Sequence, residues 1–138
     1  MLITDFIENY KKAVYTKNVD EFVSLYDENI LIFDLWMPWM SQGMAPLRES
    51  TQEWFSSLIN ERVLVDFEIV HSQETATMSF LSAFVTFAAT TLEGQMIRSM
   101  QNRLTWILEF KQSQWKITHQ HTSAPVDFSN MKVSFKRS

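Results

Sequence analysis

Apolar residues along the chain follow two periods, and the change comes near Arg62. In the first half they recur every three or four positions. Phe6, Ile7, Tyr10, Ala13 and Val14 form one stripe, which predicts a helix from Asp5 to about Lys17 with Thr4 as its cap. Asn18 then heads a second short helix over 19–28, with Val19, Phe22, Leu25 and Tyr26 inward and Glu21 at the capping-box position. The β-rich run Ile30–Trp36 predicts a strand with Ile30, Ile32, Asp34 and Trp36 on one face, a carboxylate among apolar side chains. Met37–Met44 reads as a loop, because it holds Pro38 and one of only two glycines. Pro46 suits the first turn of a third helix, whose inner stripe is Leu47, Thr51, Trp54, Phe55 and Leu58.

Beyond Arg62 the period falls to two. Strand-like runs at 62–72, 75–91, 95–110 and 114–123 are separated by short polar turns, which join antiparallel neighbours into a meander. The two longest call for a bulge or strong bend. In the last run Trp115, Ile117, His119, His121 and Ser123 share one face, with Lys116, Thr118, Gln120 and Thr122 on the other. The first face passes from apolar to imidazole, as on a strand running from a core into the mouth of a cavity. Helices first and a long antiparallel sheet afterwards is an α+β order. A curved sheet wrapped as a cone around three N-terminal helices buries all three stripes and leaves a pocket at its open end. Residues 1–125 are expected as a single domain and 126–138 as a polar, solvated tail.

Composition narrows the function classes. A length of 138 residues with 46% hydrophobic content suffices for one cored domain. A net charge of -4 offers no basic face for nucleic acid. No apolar run reaches the roughly 20 residues of a membrane span. The opening MLITDFIENYKK lacks the basic-then-apolar order of a secretory signal, so a cytoplasmic protein is expected. Without cysteine there are no disulfides, thiolate metal sites or cysteine nucleophiles.

Candidate chemistry centres on Asp34, either a base that takes a proton from carbon or a structural acceptor for amides of the 37–44 loop. His119 and His121 stand about 7 Å apart along a strand. Two such imidazoles need a third ligand to hold a metal, so acid–base work or binding of an anionic group is the better use, and no metal or cofactor is expected. Arg103 is a carboxylate clamp if its face is concave and part of an interface if it is not. Trp36 and Trp39, beside Pro38, are candidates for a pocket wall, and Trp54 serves either the pocket or the core.

FDLWMPWMSQG, the PLRESTQEWF helix and the ending R-L-T-W…W-K-I-T-H-Q-H-T-S-A-P, in this order, resemble the SnoaL-like branch of the nuclear transport factor 2 superfamily, of cystatin-like fold. The alternating ending also resembles the association domain of the calmodulin-dependent kinase II hub. The resemblance implies a homodimer through the outer sheet face, here expected to carry Thr118, Gln120, Thr122 and alternate residues of 75–91. A narrower similarity is to ketosteroid isomerase, which puts Tyr10 at the oxyanion-hole tyrosine and Asp34 at the general-base aspartate. That enzyme's additional protonated acid is replaced here by Arg103, Thr105 or Trp106. The implied activity is cofactor-free isomerisation or cyclisation of a small apolar or weakly acidic molecule. Asp34 would be the base, Tyr10 and His121 the polarising donors, and Arg103, His119 and the three tryptophans the binding groups. The hub resemblance implies instead a non-catalytic binding or association domain.

Overall fold

The period-3.6 half of the chain folds into helices α1 (Leu2–Thr16), α2 (Val19–Val23) and α3 (Met44–Ser57), with strands β1 (Tyr26–Phe33) and β2 (Ser41–Gln42) between the last two. The period-2 half forms β3 (Glu61–Glu74), β4 (Met78–Thr91), β5 (Met96–Lys111) and β6 (Gln114–Ser123), followed by a small hairpin of β7 (Val126–Asp127) and β8 (Lys132–Val133). This computed structural model describes residues 2–137. The main sheet has the order β2-β1-β6-β5-β4-β3 and is curved and open, not closed into a barrel. β3 to β6 form the expected meander. β1 joins it parallel to β6, so the sheet is mixed. The helices cover its inner face: Phe6, Tyr10 and Val14 of α1 and Phe22 of α2 pack with Val65, Val85, Trp106, Leu108 and Ile117. Among the described residues no helix is long and apolar enough to cross a membrane.

Several boundaries differ from the sequence pattern, each because a tertiary contact outweighs a local preference. α2 stops at Val23, where a run to Glu28 is expected. Tyr26 instead enters β1 opposite Ile117, and the Ile117 amide donates to the Leu25 carbonyl at 2.9 Å. β1 ends at Phe33, so Asp34 and Trp36 begin a loop and do not extend the strand. The residues after Val126 are not simply solvated either. They form the hairpin, and the Phe135 carbonyl accepts a hydrogen bond from the Gln101 amide of β5 at 2.6 Å.

The largest departure lies in β6. Ile107 pairs with His119 but Leu108 pairs with Ile117, so Thr118 is an extra residue, a β-bulge. Extra residues also occur at Val70 in β3 and Ile97 in β5. A one-residue slip exchanges the two faces of everything beyond it. Ile117 is fully buried, yet past the bulge the inward positions belong to Gln120 and Thr122, opposite buried Trp106 and Leu104. His119, His121 and Ser123 pair with Ile107, Thr105 and Arg103 on the outer face. The expectation that the histidines face the cavity, and that Gln120 and Thr122 face a partner, is reversed by that one residue.

Candidate functional site

A cavity of about 680 Å³ lies between α3, Tyr10 of α1, Phe22 of α2, the loop after β1 and the inner sheet face. Its wall is mostly apolar, from Phe22, Ile32, Trp54, Phe87, Met100 and Leu104. Polar groups enter at the end where β1 and β6 finish. The Gln120 Oε1 accepts from the Tyr26 hydroxyl at 2.6 Å and from the Trp106 indole N–H at 2.9 Å. That single acceptor satisfies two donors on buried rings, which would otherwise be desolvated without a partner. Thr122 performs a second double task. Its hydroxyl oxygen accepts from the Leu35 amide at 3.0 Å and donates to Asp34 Oδ1 at 2.6 Å, fixing the start of the loop and one carboxylate oxygen.

Tyr10 and Tyr26 are both buried beside this network. Burial disfavours the phenolate of Tyr10 and pushes its pKa up, and the Asp34 charge pushes it further. Tyr26 is raised by burial and by the neighbouring Tyr10 and Asp34. Both phenols are therefore held as neutral donors. Asn102 stands in the same wall, with a buried Oδ1 that has no hydrogen-bond partner among the described residues. Arg98 lines the cavity near Ser99 and makes a forked contact to Glu61, at 2.8 and 3.3 Å. Hydrogen bonding to Arg98 holds the Glu61 carboxyl below its ordinary range. Among the described residues no three His, Asp or Glu side chains are grouped so as to hold a metal.

Of the residues proposed from sequence, the fold brings Tyr10, Asp34, Trp36 and Trp54 to this cavity. Asp34 is exposed at the mouth, because the strand that was to bury it ends one residue earlier. Trp39 is 88% exposed and lies outside the lining, since the loop turns its ring to solvent. Arg103 is turned to the outer face by the alternation of β5, between buried Asn102 and Leu104, and His119 and His121 by the Thr118 bulge. There the Arg103 Nε donates to Ser123 Oγ at 2.9 Å, and both imidazoles meet the edge of Phe33. The sequence pattern missed Tyr26, Asn102, Gln120 and Thr122. Asn102 had a readable signal, as the one polar residue in the alternation Met100, Asn102, Leu104, Trp106, Leu108. Gln120 and Thr122 had none, because nothing in KITHQHT marks the bulge.

Comparison with known proteins places this geometry. A family model described as SnoaL-like domain matches residues 3–127. A NTF2-like protein of unknown function from Pseudomonas putida KT2440 is similar with a TM-score of 0.80 at 17% identity, over 99% of this chain and 93% of that one. A ketosteroid isomerase-like protein from Erwinia carotovora atroseptica SCRI1043 is similar with a TM-score of 0.68 at 15% identity, over 88% and 92%. So is a chain from Xanthomonas campestris provisionally described as a calcium/calmodulin dependent protein kinase II association domain, with a TM-score of 0.69 at 14% identity, over 89% and 85%. At these identities the likeness is one of fold. No curated protein sequence matches the chain.

The buried phenols give a pH signature with a definite sign. A tyrosine whose folded pKa is raised contributes stability that is complete below the free value of 10.0 and is lost as pH climbs past it. Each such group costs about 1.4 kcal/mol per pH unit above that point. Tyr10→Phe removes one of the two. Between pH 9 and pH 11 its loss of stability in urea unfolding is therefore expected to be smaller than wild type by about 1.4 kcal/mol. Equal losses would mean that Tyr10 ionises freely in the folded protein.

Proposed function

We propose, on the premise that the chain belongs to the SnoaL-like domain family, that its cavity takes a small, largely apolar molecule with a carbonyl oxygen. The protein moves a proton on that molecule without a cofactor, as an isomerase or cyclase. The observation that carries this is the state of Asp34. Its carboxylate lines the apolar cavity with Oδ1 held by Thr122, and Oδ2 has no partner among the described residues. A carboxylate oriented by one hydrogen bond and open on its other oxygen is placed to take a proton from carbon. A carbonyl beside that carbon gains negative charge as the proton leaves, and the neutral Tyr10 hydroxyl is the donor for it. Asn102, not the outward-facing His121, is the second polar group available. Return of the proton from Asp34 to a different carbon completes an isomerisation.

The alternative is a binding domain with the same cavity and no reaction, and one experiment separates the two. A flat apolar ketone, 2-tetralone, is incubated with the protein in D2O, and exchange of the protons beside its carbonyl is followed by NMR. Wild type is expected to exceed Asp34→Asn by about a hundredfold or more. The substitution should change folding stability by less than about 1 kcal/mol, since Thr122 can donate to the amide oxygen equally well. Equal exchange rates would remove the base and leave the binding domain.

We also propose a homodimer through the outer sheet face, in a register different from the one the alternation of β6 suggested. That face carries exposed Leu64, Val70 and Phe33 among Ser82, Thr86 and His121. Apolar residues interspersed with small polar ones suit a self-complementary sheet contact. Sedimentation velocity at micromolar concentration should give about twice the mass of a single chain, with Leu64→Glu shifting it to the monomer. A monomeric wild type would refute the dimer.

A further inference from the structure

β5 is longer than the strand beside it. β6 opposes β5 only as far as the pair Arg103–Ser123, whereas β5 continues to Met96, next to the cavity mouth. The segment Ser134–Arg137 lies against this uncovered edge and is tied there chiefly by one residue. The Gln101 amide donates to the Phe135 carbonyl at 2.6 Å, and the Gln101 side-chain oxygen accepts from the Arg137 amide at 2.7 Å. The other end of the same side chain donates to Thr86 at 3.1 Å, which fixes its rotamer. On the outer face the Arg137 guanidinium covers the Phe84 ring at 3.9 Å and pairs with Glu68 at 3.0 Å. On the mouth side the Phe135 ring stacks on Trp36, with centroids 5.5 Å apart and an angle of 25°. Trp36 lines the cavity, and so does Met100, the neighbour of Gln101.

We propose that Ser134–Arg137 is a strap that holds Trp36 across the cavity mouth, and that its release from Gln101 and Trp36 is the step that admits and discharges ligand. Phe135 is a positioning residue here, since it reaches the cavity only through Trp36. The energetics suit a gate. One aromatic stack and a few exposed hydrogen bonds sum to far less than global stability, so the strap opens while the core stays folded. Its anchors do not overlap the polar floor of Tyr10, Gln120 and Thr122, so opening leaves that chemistry in place.

The proposal rests on the cavity being the ligand site, and the test keeps the two apart. The probe is 1-anilinonaphthalene-8-sulfonate, an apolar dye with one anionic group, followed by stopped-flow fluorescence. Phe135→Ala is expected to raise both association and dissociation rates by about fivefold, the worth of one aromatic pair, while the dissociation constant moves less than about twofold. Phe135→Tyr, which keeps the stack, should retain wild-type rates. Met100→Trp, which narrows the cavity from a half-buried position, should weaken binding by about tenfold or more. Unchanged rates in Phe135→Ala, with binding still weakened in Met100→Trp, would overturn the strap alone. A faster dissociation without faster association would make Phe135 a ligand contact and also overturn it. Dye binding that Met100→Trp leaves intact would place the dye elsewhere, and would overturn both the cavity reading and its gate.

Discussion

The extra residue at Thr118 is the constraint on which the interior of this molecule depends. Before it β6 presents Ile117 to the core; after it the strand presents Gln120 and Thr122. These two side chains do what the histidines beside them are poorly shaped to do. Gln120 accepts from two buried rings through one oxygen, and Thr122 accepts and donates through one hydroxyl. A histidine at position 120 would offer one acceptor nitrogen in the ring plane, and a second donor would stay unsatisfied in an apolar wall. The bulge therefore decides which chemistry faces the cavity and which faces outward, without changing the composition of the strand.

Burial in this site falls on the phenols and not on the carboxylate. Tyr10 and Tyr26 are buried and held neutral, while Asp34 stands exposed at the mouth, its charge adding to the pressure that keeps both protonated. That division suits proton transfer at the boundary of the cavity. In the proposed reaction the proton acceptor would lie at the exposed edge of the cavity and the donor to the developing oxyanion in the drier interior, where a hydrogen bond is worth more. The outer face has its own cations and imidazoles in Arg103, His119 and His121, and it is separated from this chemistry by the thickness of the sheet.

Much of the fold was legible because it rests on periodicity. The stripes of α1 and α3, the meander of β3 to β6 and the α+β order were all written in the spacing of apolar residues. What was not legible came from contacts distant in sequence. The end of α2 is set by Ile117, about ninety positions on, and the parallel placement of β1 beside β6 leaves no local mark. At the site, Tyr10, Asp34, Trp36 and Trp54 followed from helix stripes and the run of β1, and the family resemblance reinforced the first two. The β6 residues failed as a set, since alternation counts every residue once and a bulge adds one. Asn102 is readable as a polar interruption in an apolar register, whereas the charge of its neighbour Arg103 belongs to the opposite face.

The most direct test of this account is which side chains of β6 lie against the Trp106 indole. Nuclear Overhauser contacts from the indole N–H of Trp106 are expected to reach the Gln120 side chain and the Tyr26 ring. The His121 ring should instead show contacts to Phe33 and Thr105. Contacts from the His121 ring to Trp106 or Tyr26, with the Gln120 side chain in solvent, would mean that β6 runs without its bulge and would contradict the placement of the entire polar floor.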